Sequence, residues 1–349
     1  MSRQITYAQA IREAIDLCMA NDPSVHLFGL GVPDPKGIFG TTLNLQARYG
    51  PERVSDAPTS ENGLTGIAIG SALAGMRPIL THQRIDFAVL SMEQLVNQAA
   101  KWHYMFGGRM RVPLVVRMLV GRGWGQGPQH SQSLQAWFAH VPGLKVLMPT
   151  TPHDAKGLLI SAIEDDNPVI FIEHRWLYNI SGYVPEEIYR VPFGTARVAR
   201  KGTDITIVAI SYMALEALRA ADALAEHGIS AEVIDLRSLR PWDIACVLQS
   251  VRRTGRLVVT DTGWKVCGFS AEIVATVVEE GIGLLAPPRR VCLPDCPSPT
   301  SRALAGGYYP RAVDIERAVA PMFDVEIPEV HHPTTIPLDV PDASFTGPF

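Results

Sequence analysis

Short, almost uninterrupted apolar runs alternate with segments of helical periodicity, and this alternation occurs twice along the chain. Residues 25–29, 78–81, 113–117, 144–148 and 169–173 read as buried strands, with helices over about 61–74, 89–104 and 154–164 between them. Strands that are apolar on both faces need cover on both faces, and a parallel sheet with crossover helices supplies it. The first helix opens at Thr6 and Gln9, spaced as a capping box, ahead of Ile11, Ala14, Ile15, Cys18 and Met19 at helical spacing. Residues 185–203 lack strong periodicity and read as a bridge. A second run follows, with strands at 204–210, 231–236 and 257–260 and helices at 214–225, 243–251 and 271–279. The second run is shorter, and few of its polar residues look able to converge as a catalytic set, so it reads as an assembly domain.

The expected fold class is therefore α/β, with two doubly wound domains. The boundaries read 1–184 for the first domain, 185–203 for a linker, 204–325 for the second domain and 326–349 for a tail. The tail is rich in proline and cannot be regular helix or central strand. Its apolar residues Ile336, Leu338, Val340 and Phe345 favour an extended arm lying on another subunit.

Composition removes several classes of function. The chain has 349 residues, 47% hydrophobic and 19% charged, with a net charge of −4, so a nucleic acid partner is not expected. No apolar run approaches the roughly 20 residues that span a bilayer. The start, Met1-Ser-Arg-Gln-Ile5, lacks the apolar core of a signal peptide, and a cytoplasmic location is expected. Five scattered cysteines (Cys18, Cys246, Cys267, Cys292 and Cys296) argue against a disulfide framework and read as free thiols.

Two motifs carry chemistry. Ser60-Glu-Asn-Gly-Leu-Thr-Gly66 places a lone carboxylate, Glu61, at the start of a glycine-spaced helix. Glu61 alone reads as a first-turn acid complementing the helix dipole, with Ser60 or Thr59 near the cap. Gly63, Gly66 and Gly70 change that weighting, because a helix face without side chains lets a flat ring or another backbone approach. A carboxyl desolvated beside such a face can share a proton with a ring nitrogen. The second motif is Gln129-His-Ser-Gln132, after the glycine-rich Gly121-Arg-Gly-Trp-Gly-Gln-Gly-Pro128 and before a helical stretch at 133–139. His130 alone reads as a loop histidine bonded to backbone. Its place after a strand puts an imidazole at the lip of a sheet, where α/β folds bind ligands. The glycine loop matches neither the Walker pattern nor the dinucleotide fingerprint, and Gly29-Leu-Gly31 lacks a third glycine opening a helix. NAD and ATP are set aside.

On these residues the chain resembles the beta subunits of thiamine diphosphate-dependent 2-oxoacid dehydrogenase decarboxylating components, the pyruvate, branched-chain and acetoin group. The likeness spans about residues 4–325. Its further markers are Gly70-Ser-Ala-Leu-Ala-Gly-Met-Arg-Pro78, Phe87, Pro142-Gly-Leu-Lys-Val146, Asp154-Ala-Lys-Gly157, Asp166-Asn-Pro168 and Asp235-Leu-Arg-Ser-Leu-Arg-Pro241. The resemblance implies a transketolase-like pyrimidine-binding domain followed by a transketolase C-terminal domain. It also implies an alpha subunit in an α2β2 heterotetramer, holding the diphosphate through Mg2+ and a Gly-Asp-Gly motif. No Gly-Asp-Gly occurs in this chain. Carried over by position, Glu61 would hydrogen-bond the aminopyrimidine and favour its imino tautomer. Leu64 and Phe87 would line the cofactor site, and His130 would orient the 2-oxo acid or assist acyl transfer to a lipoyl-bearing acyltransferase. Family members often bind potassium, and the matching positions are Leu114, Ala162, Ile163, Asp165 and Asn167.

The chain departs from the family where substrate should sit. His82-Gln-Arg-Ile-Asp86 replaces an aromatic, apolar segment, and Arg122 and Trp124 replace small residues. Arg84, Arg122 and Trp124 are therefore candidates for contacting a more polar substrate, with pairing of the arginines to local acids such as Asp86 or Glu93 as the plain alternative. A second reading is half of a split transketolase-like enzyme that uses a non-lipoyl acceptor. A third is a non-catalytic scaffold, which the joint presence of Glu61, Phe87 and His130 argues against.

Overall fold

The computed structural model describes residues 3–123 and 126–323. Trp124 and the tail from 326 onward lie outside the described residues. Two compact units are present: residues up to 120 together with 137–193, and residues 121–136 together with 194 onward.

The first unit holds strands β1 (Gln4–Thr6), β2 (Val25–Phe28), β3 (Val54–Ser55), β4 (Arg77–His82), β5 (Val115–Val120), β6 (Lys145–Leu147), β7 (Val169–His174) and β8 (Ser181–Tyr183). Six of these form a parallel run in the order β6-β7-β5-β4-β2-β3, while β1 and β8 pair antiparallel on their own. Every residue of β5 and β7 is buried, as two-sided cover demands. The helix Tyr7–Asn21 starts at the anticipated box, with Gln9 N–H donating to Thr6 Oγ1 (3.2 Å) and Thr6 N–H to Gln9 Oε1 (2.8 Å). It packs on the helix Pro152–Glu164, where the buried Lys156 ammonium meets Glu13 Oε1 at 2.7 Å and the Glu186 carbonyl at 3.0 Å. Deeper still, Arg117 and Glu173 form a doubly bonded pair at 2.6 and 2.9 Å, both side chains 0% exposed, with the Tyr178 hydroxyl donating to Glu173 at 2.7 Å.

The stretch 89–104, expected as one helix, is instead three pieces. A 3-10 turn (Val89–Ser91) is followed by a wide π-type segment (Gln94–Ala99) and then an α-helix (Ala100–Met105). The interruption lies against the helix Glu61–Leu73, and Ser91 Oγ donates to the Glu61 carbonyl at 3.0 Å.

The second unit holds β9 (Arg197–Arg200), β10 (Ile205–Ala209), β11 (Ala231–Asp235), β12 (Ser238–Arg240), β13 (Leu257–Trp264) and β14 (Arg289–Leu293). Its five-stranded sheet runs β14-β13-β10-β11-β9, parallel except for the antiparallel edge strand β9. β9 falls inside the stretch that reads as an unstructured bridge. It is half-buried rather than continuously apolar, and Arg197 at its start reaches the buried Asp235. Among the described residues no helix is long and apolar enough to cross a membrane, and all five cysteines are free.

Candidate active site

Glu61 is the first residue of the helix Glu61–Leu73 and lies beside the carboxyl ends of β2 and β4 in the first unit. Those two strand ends close tightly. A Cβ at Gly29 would lie 2.2 Å from the Thr81 carbonyl oxygen, so only glycine fits there. Gln83 Nε2 donates to the Leu30 carbonyl at 3.1 Å, and Gly31 N–H donates to Asp56 Oδ1 at 2.8 Å, which fixes the loop after β2. The result is a tight pocket with about 10 Å³ of free space, roughly the room of one water, walled by Leu30, Pro58, Leu64, Thr81, His82, Gln83 and Phe87, with Glu61 among its lining residues. Ser60 stands at the cap position, but its side chain makes no cap bond, so the first turn keeps its donor character.

One wall atom is unsatisfied: Thr81 Oγ1 is buried and has no hydrogen-bond partner among the described residues. A buried hydroxyl left open in a pocket wall fits a ligand that carries a polar edge. His82 is 4% exposed, and burial pushes its pKa down to about 4, so the imidazole is neutral at physiological pH. Its Nε2 lies 3.5 Å from Ser91 Oγ. Sequence reasoning had His82 only as part of a polar departure from the family; its position in the pocket wall depends on the β4 register.

Arg84 turns inward and is buried. It lies close to Arg175, whose guanidinium is lowered to about 10, chiefly by burial, with Tyr178 opposing and the Arg84 charge adding to the shift. Arg175 also stands over the rings of Phe39 (4.4 Å) and Tyr178 (4.9 Å).

His130 belongs to the second unit. It ends an exposed 3-10 turn (Pro128–His130) closed by His130 N–H donating to the Gly127 carbonyl at 3.1 Å. The turn is pinned on both sides. Upstream, Arg122 donates from Nε to the Gln126 carbonyl (3.0 Å) and from Nη2 to the Thr300 carbonyl (2.7 Å). Downstream, Gln135 Nε2 donates to Asp261 Oδ1 at 2.8 Å. Arg122 is 1% exposed, and these two bonds tie its guanidinium to the carbonyl oxygens of Gln126 and Thr300. The His130 turn packs with the second unit, although it precedes the linker in sequence.

Asp261 lies just past the point where β13 leaves the β10 ladder, at the carboxyl end of the second sheet. Burial lifts its pKa to about 6, against hydrogen bonds from Gly263 N–H, the Gln135 side chain and Thr262 N–H that hold it down. Partial burial, with the Asp261 carboxyl adding to it, raises the half-buried Cys292 thiol on β14 to about 11.

The oxygens of Leu114, Ala162, Ile163 and Asp165, matched to a potassium site, are engaged. The Leu114 carbonyl accepts from Val169 N–H (2.9 Å) and the Ala162 carbonyl from Asp165 N–H (3.3 Å), while those of Ile163 and Asp165 both accept from Arg77 Nη1, at 3.1 and 3.0 Å. Lys145 Nζ meets Asp165 Oδ2 at 2.5 Å, and Asn167 N–H donates to Asp165 Oδ1 at 2.8 Å. Two cationic side chains, Arg77 and Lys145, thus already sit on this oxygen set.

Comparison with known proteins agrees with this layout. The family model for the transketolase pyrimidine binding domain matches residues 3–181, and that for the transketolase C-terminal domain matches residues 194–315. The chain is 46% identical over 329 residues to the beta subunit of an acetoin:2,6-dichlorophenolindophenol oxidoreductase of Cupriavidus necator, covering 91% of this chain and 97% of that one. It is 44% identical over 322 residues to the mitochondrial pyruvate dehydrogenase E1 component subunit beta-2 of Oryza sativa, covering 91% and 86%. Among solved structures, a split-gene transketolase described as an inactive beta4 tetramer superposes with a TM-score of 0.77 at 23% identity, covering 92% and 99%. That last likeness concerns the fold alone.

Proposed function

The chain belongs to the E1 beta subunits of the thiamine diphosphate-dependent 2-oxoacid dehydrogenases, and from that premise we propose that the Glu61 pocket receives the aminopyrimidine of thiamine diphosphate. The observation that carries this reading is a half-buried carboxylate among the lining of a pocket with apolar Leu64 and Phe87 and an open Thr81 hydroxyl. Such a wall suits a flat heteroaromatic ring: apolar faces for its plane, a carboxyl for a ring nitrogen and a hydroxyl for its polar edge. When bound, the cofactor supplies the electron sink for cleaving the bond beside a 2-oxo group. Glu61 holds a proton against the pyrimidine nitrogen. Leu64 and Phe87 fix the ring plane and exclude water. The neutral His82 adds polarity to the wall without adding charge. His130, on its braced turn, orients the 2-oxo acid or assists transfer of the acyl group to a lipoyl-bearing acyltransferase.

The absence of a Gly-Asp-Gly segment supports an alpha subunit as holder of the diphosphate and its Mg2+, in an α2β2 heterotetramer. Potassium, if bound, would use the carbonyls of Leu114, Ala162 and Ile163 together with Asp165 and Asn167. Arg84, beside Arg175, remains the candidate for meeting an acidic group of the substrate. Five free thiols fit a cytoplasmic setting.

The test is co-expression with an alpha partner, followed by thiamine diphosphate titration and decarboxylation assays over a panel of 2-oxo acids and acetoin. Turnover and cofactor binding by the complex, both absent from the beta chain alone, are the expected result. A complex that binds no cofactor would overturn the reading.

A further inference from the structure

We propose that Asp261 is a positioning residue: from within β13, just past its ladder with β10, its carboxylate holds the Gln135 side chain, and so fixes the segment that presents His130. This deepens the function proposed above and rests on His130 acting at the reacting centre.

Asp261 is 1% exposed, and Gln135 is fully buried. Their 2.8 Å bond is backed by Thr262 and Gly263 N–H groups donating to the same carboxylate. Gly263 is what lets the pair meet. A Cβ there would stand 2.8 Å from Gln135 Nε2 and 2.9 Å from Asp261 Oδ2. The surroundings are polar in a way that simple core packing does not require. Ser131 Oγ, Gln135 Oε1 and the hydroxyls of Thr260 and Thr262 are all buried without hydrogen-bond partners among the described residues. The Asp261 contact is a buried downstream tie on this segment, in parallel with the Arg122–Thr300 tie upstream. A bond to a charged acceptor is the stronger kind, and deleting it strands a buried amide. His130 lies five residues from Gln135, within the same pinned segment, and a shift of about 1 Å in a catalytic group can cost on the order of 100-fold in rate.

The experiment uses the co-assembled holoenzyme and four variants: Asp261→Leu, Asp261→Asn, Gln135→Leu and the double Leu variant. Asp261→Leu is expected to lower kcat by about 10- to 100-fold, with KM and thiamine diphosphate affinity within about twofold of the unaltered enzyme. Gln135→Leu should reproduce that loss, and the double variant should add little to it, because both act through one contact. Asp261→Asn restores an acceptor oxygen and should recover at least half of the loss on a logarithmic scale. Amide hydrogen exchange over residues 126–136 should rise in both Leu variants, a readout that does not depend on turnover. If Asp261→Leu fails to assemble, Gln135→Leu decides, since it leaves the carboxyl in place. Unchanged exchange, unchanged kcat, or an additive double variant would overturn the proposal. A His130→Asn variant with full kcat would instead overturn the function assigned to His130, so the two failures are told apart.

Discussion

His82, the last residue of β4, and Asp261, in β13 just past its ladder with β10, are each buried toward the carboxyl edge of their unit's parallel sheet, yet burial moves them to opposite effect. It drives the imidazole down to about 4 and the carboxyl up to about 6. In both cases the charged form is the one disfavoured. The first unit thereby gains a neutral polar wall suited to a ring. The second keeps a carboxylate that stays ionised above about pH 6 because backbone and amide donors offset part of the burial cost. On the function proposed above, the first position would face a ligand and the second would hold a loop.

The largest expected effect tests that division. Glu61→Gln should lower turnover by about 10³-fold while assembly persists, because general acid–base contributions run to 10²–10⁴. His130→Asn should cost about 10²-fold in the same assay. Equal losses in decarboxylation would mean that the two units do not differ in the way proposed. Next in size is Gly29→Ala. Its Cβ would strike the Thr81 backbone oxygen, which cannot rotate away, so a loss of about 3 kcal/mol in unfolding free energy is expected. Near-normal melting of that variant would show that β2 and β4 approach less closely than drawn.

Acid separates the two sites by sign. His82 falls from 6.5 to about 4 on folding, so its contribution is intact above pH 6.5 and is lost as pH drops toward 4. His82→Phe should therefore remove roughly 2–3 kcal/mol of acid lability between about pH 7 and 4.5. Asp261 rises from 3.8 to about 6, so its contribution is full below pH 3.8 and is lost as pH climbs through 6. Asp261→Asn should flatten about 2 kcal/mol of that loss over the same range. Chemical unfolding at several pH values measures both. Shifts of the same sign in the two variants would contradict the comparison.

Features that depend on local spacing were legible in the sequence. The uninterrupted apolar runs identified β5 and β7, the Thr6–Gln9 box started the first helix where expected, and the Glu61 motif pointed to a residue that lines a pocket. Features that depend on distant partners were not. β9 has no fully buried residue and pairs antiparallel at a sheet edge, so it lacks the apolar run of its neighbours. Residues 89–104 have helical periodicity, but contact with the helix Glu61–Leu73 coincides with a widened turn that periodicity does not encode. Asp261 sits between two threonines with no motif around it; its meaning comes from Gln135, more than a hundred residues earlier. Arg122 reads from sequence as a candidate for substrate or for a local acid, and the carbonyl oxygens to which it donates leave no mark in sequence.

The smallest expected effect sharpens the contrast between a ligand wall and a braced loop. A Cβ on Gly127 would come within 2.3 Å of Thr300 Oγ1, nearly as close as the clash at Gly29. The obstacle here is a side-chain hydroxyl, and a change of rotamer moves it at a cost of about 1 kcal/mol. Gly127→Ala should therefore lower the melting temperature by only a few degrees, and Thr300→Ala should restore it, because the Thr300 carbonyl that holds Arg122 belongs to the backbone and survives the change. If Gly127→Ala proved as damaging as Gly29→Ala even with Thr300→Ala, the His130 turn would be held by its own backbone shape, with the side-chain ties at Arg122 and Gln135 secondary.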